Sequence, residues 1–188
     1  MKKKRVCMYG AASDQIDRVF LRQGEQLGRE IAEAGYTLVY GGGSGGMMGA
    51  CSRGVLEGGG KLIGVVPAFM DAYEGINENC TELIWTDSMG DRKTLMENLA
   101  DAFIVTPGGI GTMDEFFQIL TLGYLDRKAV PIIIFNIKGF FDPILEFIDL
   151  GVEKGFIHEK VRTLYTVRTS PKGVISAIRE SLQGDQPK

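Results

Sequence analysis

Seven short β-branched runs alternate with stretches of helical period along this chain, and that alternation decides the fold class. The runs are Arg5–Tyr9, Thr37–Tyr40, Lys61–Val66, Leu83–Thr86, Ala102–Thr106, Pro131–Asn136 and Leu164–Val167. They lack the polar–apolar alternation of a sheet with one wet face, as expected of strands covered on both sides. Ile16, Val19, Phe20, Leu27, Ile31 and Ala34 follow a three-and-four spacing that buries one face of a first helix, and Gly35 is placed to end it. Further helices are predicted over Met47–Leu56, Arg92–Ala100, Met113–Leu125, Phe141–Glu153 and Pro171–Leu182. Alternating β and α segments predict an α/β, Rossmann-like doubly wound parallel sheet. With 188 residues, no linker and no fixed repeat, residues 1–188 read as a single domain.

Charge and cysteine usage remove several function classes. The formal net charge of −3 gives no electrostatic reason to expect nucleic acid or an anionic membrane as partner. The basic start Met1–Arg5 precedes an apolar run that stops at Gly10, so no signal peptide is expected. No apolar run approaches the roughly 20 residues that span a bilayer. Three cysteines, Cys7, Cys51 and Cys80, are an odd number without C-x-x-C spacing, which fits a reducing cytoplasm and argues against zinc. His158 is the only histidine, so a histidine-based triad or metal cluster is not expected; it reads as a surface helix start.

In open α/β sheets ligands bind beyond the carboxyl ends of the strands, and two glycine turns sit there. The first, Tyr40–Gly49, contains a formal G-x-G-x-x-G from Gly41 to Gly46. It follows the second strand and no acidic residue ends the next one, which disfavours NAD; Gly60-Lys61 runs into Leu62, which disfavours a nucleoside triphosphate loop. A tight turn that lets the next helix pack on the sheet is the alternative use of these glycines.

The second turn is Thr106-Pro107-Gly108-Gly109-Ile110-Gly111-Thr112-Met113-Asp114-Glu115. Its glycines let backbone N–H groups close on an anion at a helix start, beside a carboxylate. Thr112 to Glu115 also reads as a capping box, threonine at the N-cap and glutamate at N3. Asp114 projects about 100° from Glu115 on a helix, so the two make a poor acid–base pair. Upstream, Arg92-Lys93 enters another helix, where positive charge opposes the helix dipole and calls for an anionic partner. The two loops follow consecutive strands and are expected to open on the same sheet edge, within reach of one ligand.

These residues resemble the LONELY GUY (LOG) family of cytokinin riboside 5′-monophosphate phosphoribohydrolases. P-G-G-x-G-T-x-x-E is matched from Pro107 to Glu115, M-x-x-R-K from Met89 to Lys93, and Y-G-G-G-x-x-G-x-M-G from Tyr40 to Gly49. The resemblance implies that Arg92 and Glu115 are the catalytic pair, and the positive charge of Arg92 is expected to keep Glu115 ionised. It implies substrate contacts at Glu74, Lys93 and Thr121, at Gly42 and Gly43, and along Gly108, Gly109, Ile110, Gly111, Thr112 and Met113. Members are often labelled lysine decarboxylases, yet nothing here marks a pyridoxal phosphate lysine. The chain departs from the family at Gly10-Ala11-Ala12-Ser13, where C-G-S-S is usual, at Gly90-Asp91, and at Leu122–Asp126, where W-x-Q-L-G is common.

The implied reaction is hydrolysis of the N-glycosidic bond of a nucleoside 5′-monophosphate, such as AMP or a cytokinin nucleotide, with no cofactor. A non-catalytic nucleotide or molybdenum-cofactor carrier of the same fold is the alternative. The resemblance also implies a homodimer or larger assembly, with Phe116, Phe117, Leu120, Phe140, Phe141 and Ile144 serving either contact surface or core.

Overall fold

The computed structural model describes residues 4–72, 75–128 and 130–184. Its strands are β1 (Arg5–Tyr9), β2 (Thr37–Tyr40), β3 (Lys61–Pro67), β4 (Glu82–Thr86), β5 (Ala102–Val105), β6 (Ile132–Phe135) and β7 (Tyr165–Arg168). Between and after them run α1 (Arg18–Glu33), α2 (Gly46–Glu57), α3 (Met89–Leu99), α4 (Ile110–Tyr124), α5 (Asp142–Glu153) and α6 (Pro171–Gly184). The strands form one parallel sheet in the order β4-β3-β2-β1-β5-β6-β7.

Successive residues of β1 serve opposite faces, because side chains alternate across a strand. Val6 and Met8 join Leu27, Ile31, Met47, Val55 and Ile178 in a core beneath α1, α2 and α6. Cys7 and Tyr9 join Met96, Phe103, Phe116, Ile119 and Ile148 in a second core beneath α3, α4 and α5. Every residue from Val6 to Tyr9, Leu38 to Tyr40 and Ala102 to Val105 is buried, the physical reason for the missing polar alternation.

Doubly wound sheets reverse strand order at a switch point, here between β1 and β5, where the chain has finished one half and starts the other. β4 and β5 are consecutive in the chain but not neighbours in the sheet, since β3, β2 and β1 lie between them. The helix α3 therefore carries the chain back across the sheet, touching β4, β3, β2 and β1 on its way. Proximity of the two loops comes from that crossing and not from adjacent strand ends.

Candidate active site

A cavity of about 300 Å³ opens at the carboxyl edge of the sheet, beside the switch point. Its walls are the end of β1 and the following loop (Met8 to Ser13), Gly41 after β2, Met48 on α2, Met70 after β3, Met89, Arg92 and Met96 on α3, and Gly109, Gly111, Thr112 and Glu115 on α4.

Arg92 and Glu115 meet inside it. Arg92 Nη1 donates to Glu115 Oε1 at 3.0 Å, and both residues are more than nine-tenths buried. Arg92 Nε donates to the Val65 carbonyl of β3 at 3.1 Å, which fixes the plane of the guanidinium. Gly41 makes room for it: a Cβ at that position would overlap Arg92 Nη2. Burial pushes the Glu115 carboxyl up to about 7, against the downward pull of Arg92, while the negative charge of Asp114 adds a smaller upward push. The expected pairing is present, but desolvation outweighs it, so Glu115 is poised between acid and base near neutral pH. Shifts of this kind are what proton-transfer chemistry needs.

Helix α4 starts three residues earlier than its apolar period suggests. Gly109 is the N-cap and no side chain caps it; Thr112 lies inside the first turn, buried, so the capping-box alternative for Thr112 and Glu115 does not hold. A side-chain cap is instead found on α3, which also begins three residues early, at Met89. Ser88 Oγ accepts from the Asp91 amide at 3.1 Å, placing Arg92 in the second turn. The open start of α4 leaves first-turn amides of a helix facing the cavity, with the positive end of the dipole behind them. A Cβ built on Gly109 or Gly111 meets nothing within 4 Å. That geometry receives an anion.

The first glycine turn is filled by the protein itself. Asp14 Oδ1 accepts from the Gly46 amide at 2.8 Å, and the Ala11 carbonyl accepts from the Met48 amide at 3.1 Å, so the α2 start already has acceptors. Gly42 and Gly43 are buried and do not line the cavity. The Gly42 carbonyl accepts from the Asn77 amide at 2.9 Å, and Gly43 bridges Ile76.

The remaining predicted residues are scattered around this centre. Lys93 Nζ pairs with Asp114 at 2.9 Å, a second ion pair beside the buried one and outside the cavity lining. Gly108 packs behind Thr112, Ile110 is 87% exposed, and Met113 is half-buried, its side chain packed against the second core. Thr121 lies on the exposed flank of α4 beside Asp114, Phe117 and Gln118, its hydroxyl donating to the Phe117 carbonyl at 2.7 Å. Glu74 falls outside the described residues. Phe116, Leu120 and Phe141 are core, Phe117 and Ile144 pack against the core, and Phe140 is exposed. His158 caps the short turn Glu159–Thr163 at the surface. Met48, the methionine of the first glycine motif, reads in the sequence as core filler but lines the cavity, and Tyr9, Met70 and Met96 line it without having stood out. Of these only Met96 was accessible to reasoning, since it lies four residues after Arg92 on the same helix face.

Residues 48–178 match the family described as "Possible lysine decarboxylase". The cytokinin riboside 5′-monophosphate phosphoribohydrolase LOG of Oryza sativa subsp. japonica is 36% identical over 177 residues, covering 94% of this chain and 73% of that protein. The cytokinin riboside 5′-monophosphate phosphoribohydrolase of Rhodococcoides fascians is 38% identical over 156 residues, covering 82% and 79%. Among solved structures, the molybdenum cofactor binding protein of Rippkaea orientalis superposes with a TM-score of 0.73 at 22% identity, over 97% of this chain and 99% of the other. The molybdenum cofactor carrier protein of Chlamydomonas reinhardtii does so at 0.70 and 23%, over the same shares. At that identity the likeness concerns the fold alone.

Proposed function

The chain belongs to the LOG family, and from that premise we propose that it hydrolyses the N-glycosidic bond of nucleoside 5′-monophosphates, AMP and N6-alkylated AMP among them, to free base and ribose 5-phosphate. The observation that carries this is the buried Arg92–Glu115 pair, one helical turn beyond an open helix start.

The substrate phosphate sits at the first-turn amides of α4, with Gly109, Gly111 and Thr112 around it, so that a group remote from the reacting bond anchors the substrate. The ribose then lies along the first turns of α4, its C1′ facing Glu115. As the C1′–N bond breaks, its electron pair leaves with the base nitrogen and positive charge develops on the sugar. The Glu115 carboxylate stabilises that charge and takes a proton from the attacking water as the new C1′–O bond forms. With its carboxyl at about 7, Glu115 can return the same proton to the departing nitrogen. Arg92 orients the carboxylate and balances its charge.

A carrier of nucleotide or molybdenum cofactor would need the open helix start but gives no reason to bury an ion pair beside it, a costly arrangement unless it is used. Three free thiols fit a cytoplasmic setting, and the exposed apolar residues Ile110, Tyr124 and Leu125 on α4 and its end would serve a homodimer. The decisive experiment incubates the folded protein with AMP and with isopentenyl-AMP and separates the products chromatographically. Free base and ribose 5-phosphate are expected; no base released from any nucleoside monophosphate ends the hydrolase reading.

A further inference from the structure

Five of the chain's eight methionines, Met8, Met48, Met70, Met89 and Met96, line one cavity. They come from four separate elements, β1, α2, the turn after β3, and the two ends of α3, so no local sequence pattern produces the cluster. Met8 and Met96 are fully buried and form its floor, whereas Met70 and Met89 are half-exposed and Met48 rests close to Gly41. All five stand on elements other than α4, with Met70 after β3 and Met89 at the start of α3.

We propose that Met48, Met70 and Met89 hold the base by shape, so that the site takes purine monophosphates with or without an apolar N6 substituent and does not read the purine edge. This deepens the hydrolase reading and rests on it for where the base lies: with phosphate at the α4 start and C1′ at Glu115, the methionine side is what remains for the base. Adenine and guanine differ at their hydrogen-bonding edges, and telling them apart needs fixed donors or acceptors. Among the described residues, the polar side chains on the cavity wall are Tyr9, Ser13, Arg92, Thr112 and Glu115. Arg92 and Glu115 hold each other, Thr112 is in the first turn of α4, and Ser13 shares a neighbouring hollow with Pro107, Gly108 and Gly109 just before it. Tyr9 is 2% exposed, its ring stacked on Phe103 at a centroid distance of 5.9 Å. A thioether on a chain of freely rotating bonds makes favourable contact with any aromatic face and reshapes itself around a substituent. A site built to hydrogen-bond one group rejects an analogue lacking it by about 10⁴-fold or more, whereas an apolar wall discriminates by roughly 10- to 200-fold.

The test measures kcat/KM for AMP, GMP and isopentenyl-AMP, and calorimetric affinity for the same three. Wild-type values within about tenfold of one another are expected. Met70→Ile and Met89→Ile substitute a side chain stiff at its first torsion. They are expected to lower the ratio of isopentenyl-AMP to AMP by about tenfold, through KM and not kcat; Met70→Leu and Met89→Leu, closer in flexibility, are expected to retain most of it. Discrimination of adenine from guanine by more than about 100-fold, or ratios untouched by both isoleucine variants, overturns the inference while leaving the hydrolase intact. Similar affinities without turnover of any of the three support the inference and remove the hydrolase. No binding of any of them overturns both.

Discussion

The two glycine turns look alike in sequence and do opposite things. Each follows a buried strand, each opens a helix at a glycine N-cap, and each could cradle a phosphate. At α2 the cradle is occupied from within by the Asp14 carboxylate and the Ala11 carbonyl, and a Cβ at Gly49 would overlap the Ser44 carbonyl. At α4 the amides face a cavity, and Gly109 and Gly111 have open space where a side chain would go. Glycine in the first turn is a packing requirement; in the second it keeps a path clear for a ligand. A glycine motif says that backbone comes close to something, and only the surrounding chain decides whether that something is protein.

The largest expected effect falls on the open turn. Glu115→Gln keeps shape and burial but removes the base, and should lower kcat by about 10³-fold, within the usual range for a general base, with the protein still folded by circular dichroism. Unchanged turnover would take catalysis away from α4 altogether. Next comes pH. A carboxyl raised to about 7 is active as the carboxylate, so kcat/KM should rise about tenfold per unit up to pH 7 and level above it. The linkage sign is the reverse for stability. Folded Glu115 binds its proton more tightly than the unfolded chain does, so its contribution is full below about pH 4.5 and fades as pH rises through about 7. A rate profile flat from pH 5 to 8 would contradict the burial argument.

Two glycine substitutions then separate the turns directly. Gly49→Ala should cost about 1–3 kcal/mol by overpacking, read from urea unfolding, with KM for AMP little changed if the protein folds. Gly111→Ala, inside a helix and facing open space, should leave stability unchanged or raise it by up to about 1 kcal/mol while raising KM for AMP. Equal behaviour of the two variants would erase the distinction. The smallest effect belongs to Asp14→Ala, which removes the occupant of the α2 start and should cost about 1 kcal/mol without lowering kcat.

The strands were legible because buried runs bounded by glycine and proline have few other homes, and all seven stand within a residue or two of their predicted bounds. The partnership of Arg92 and Glu115 was legible through the motifs that carry them. Their route to one another was not. Strand order is set by which crossover buries the most surface, and nothing local to Leu83–Thr86 says that it lies at the sheet edge. Helix starts were displaced for a related reason: apolar periodicity registers only residues that face the core, so Met89–Asp91 and Ile110–Thr112 left little trace. Met70 was invisible, since a short turn after a strand has no period to read.

The crossing helix also sets a rule for insertions and deletions. Arg92 with Glu115, Lys93 with Asp114 and Glu97 with Gln118 form three rungs between α3 and α4. One extra residue in α3 between Arg92 and Glu97 would turn everything beyond it by about 100° and separate the rungs on either side. Length changes are therefore excluded from these two segments, while the exposed turn after α4, at Leu125–Arg127, lies past the last rung and is outside this constraint. Among descendants of this sequence, the spacing between Arg92 and Glu97, and between Asp114 and Gln118, should stay constant even where the side chains around them drift.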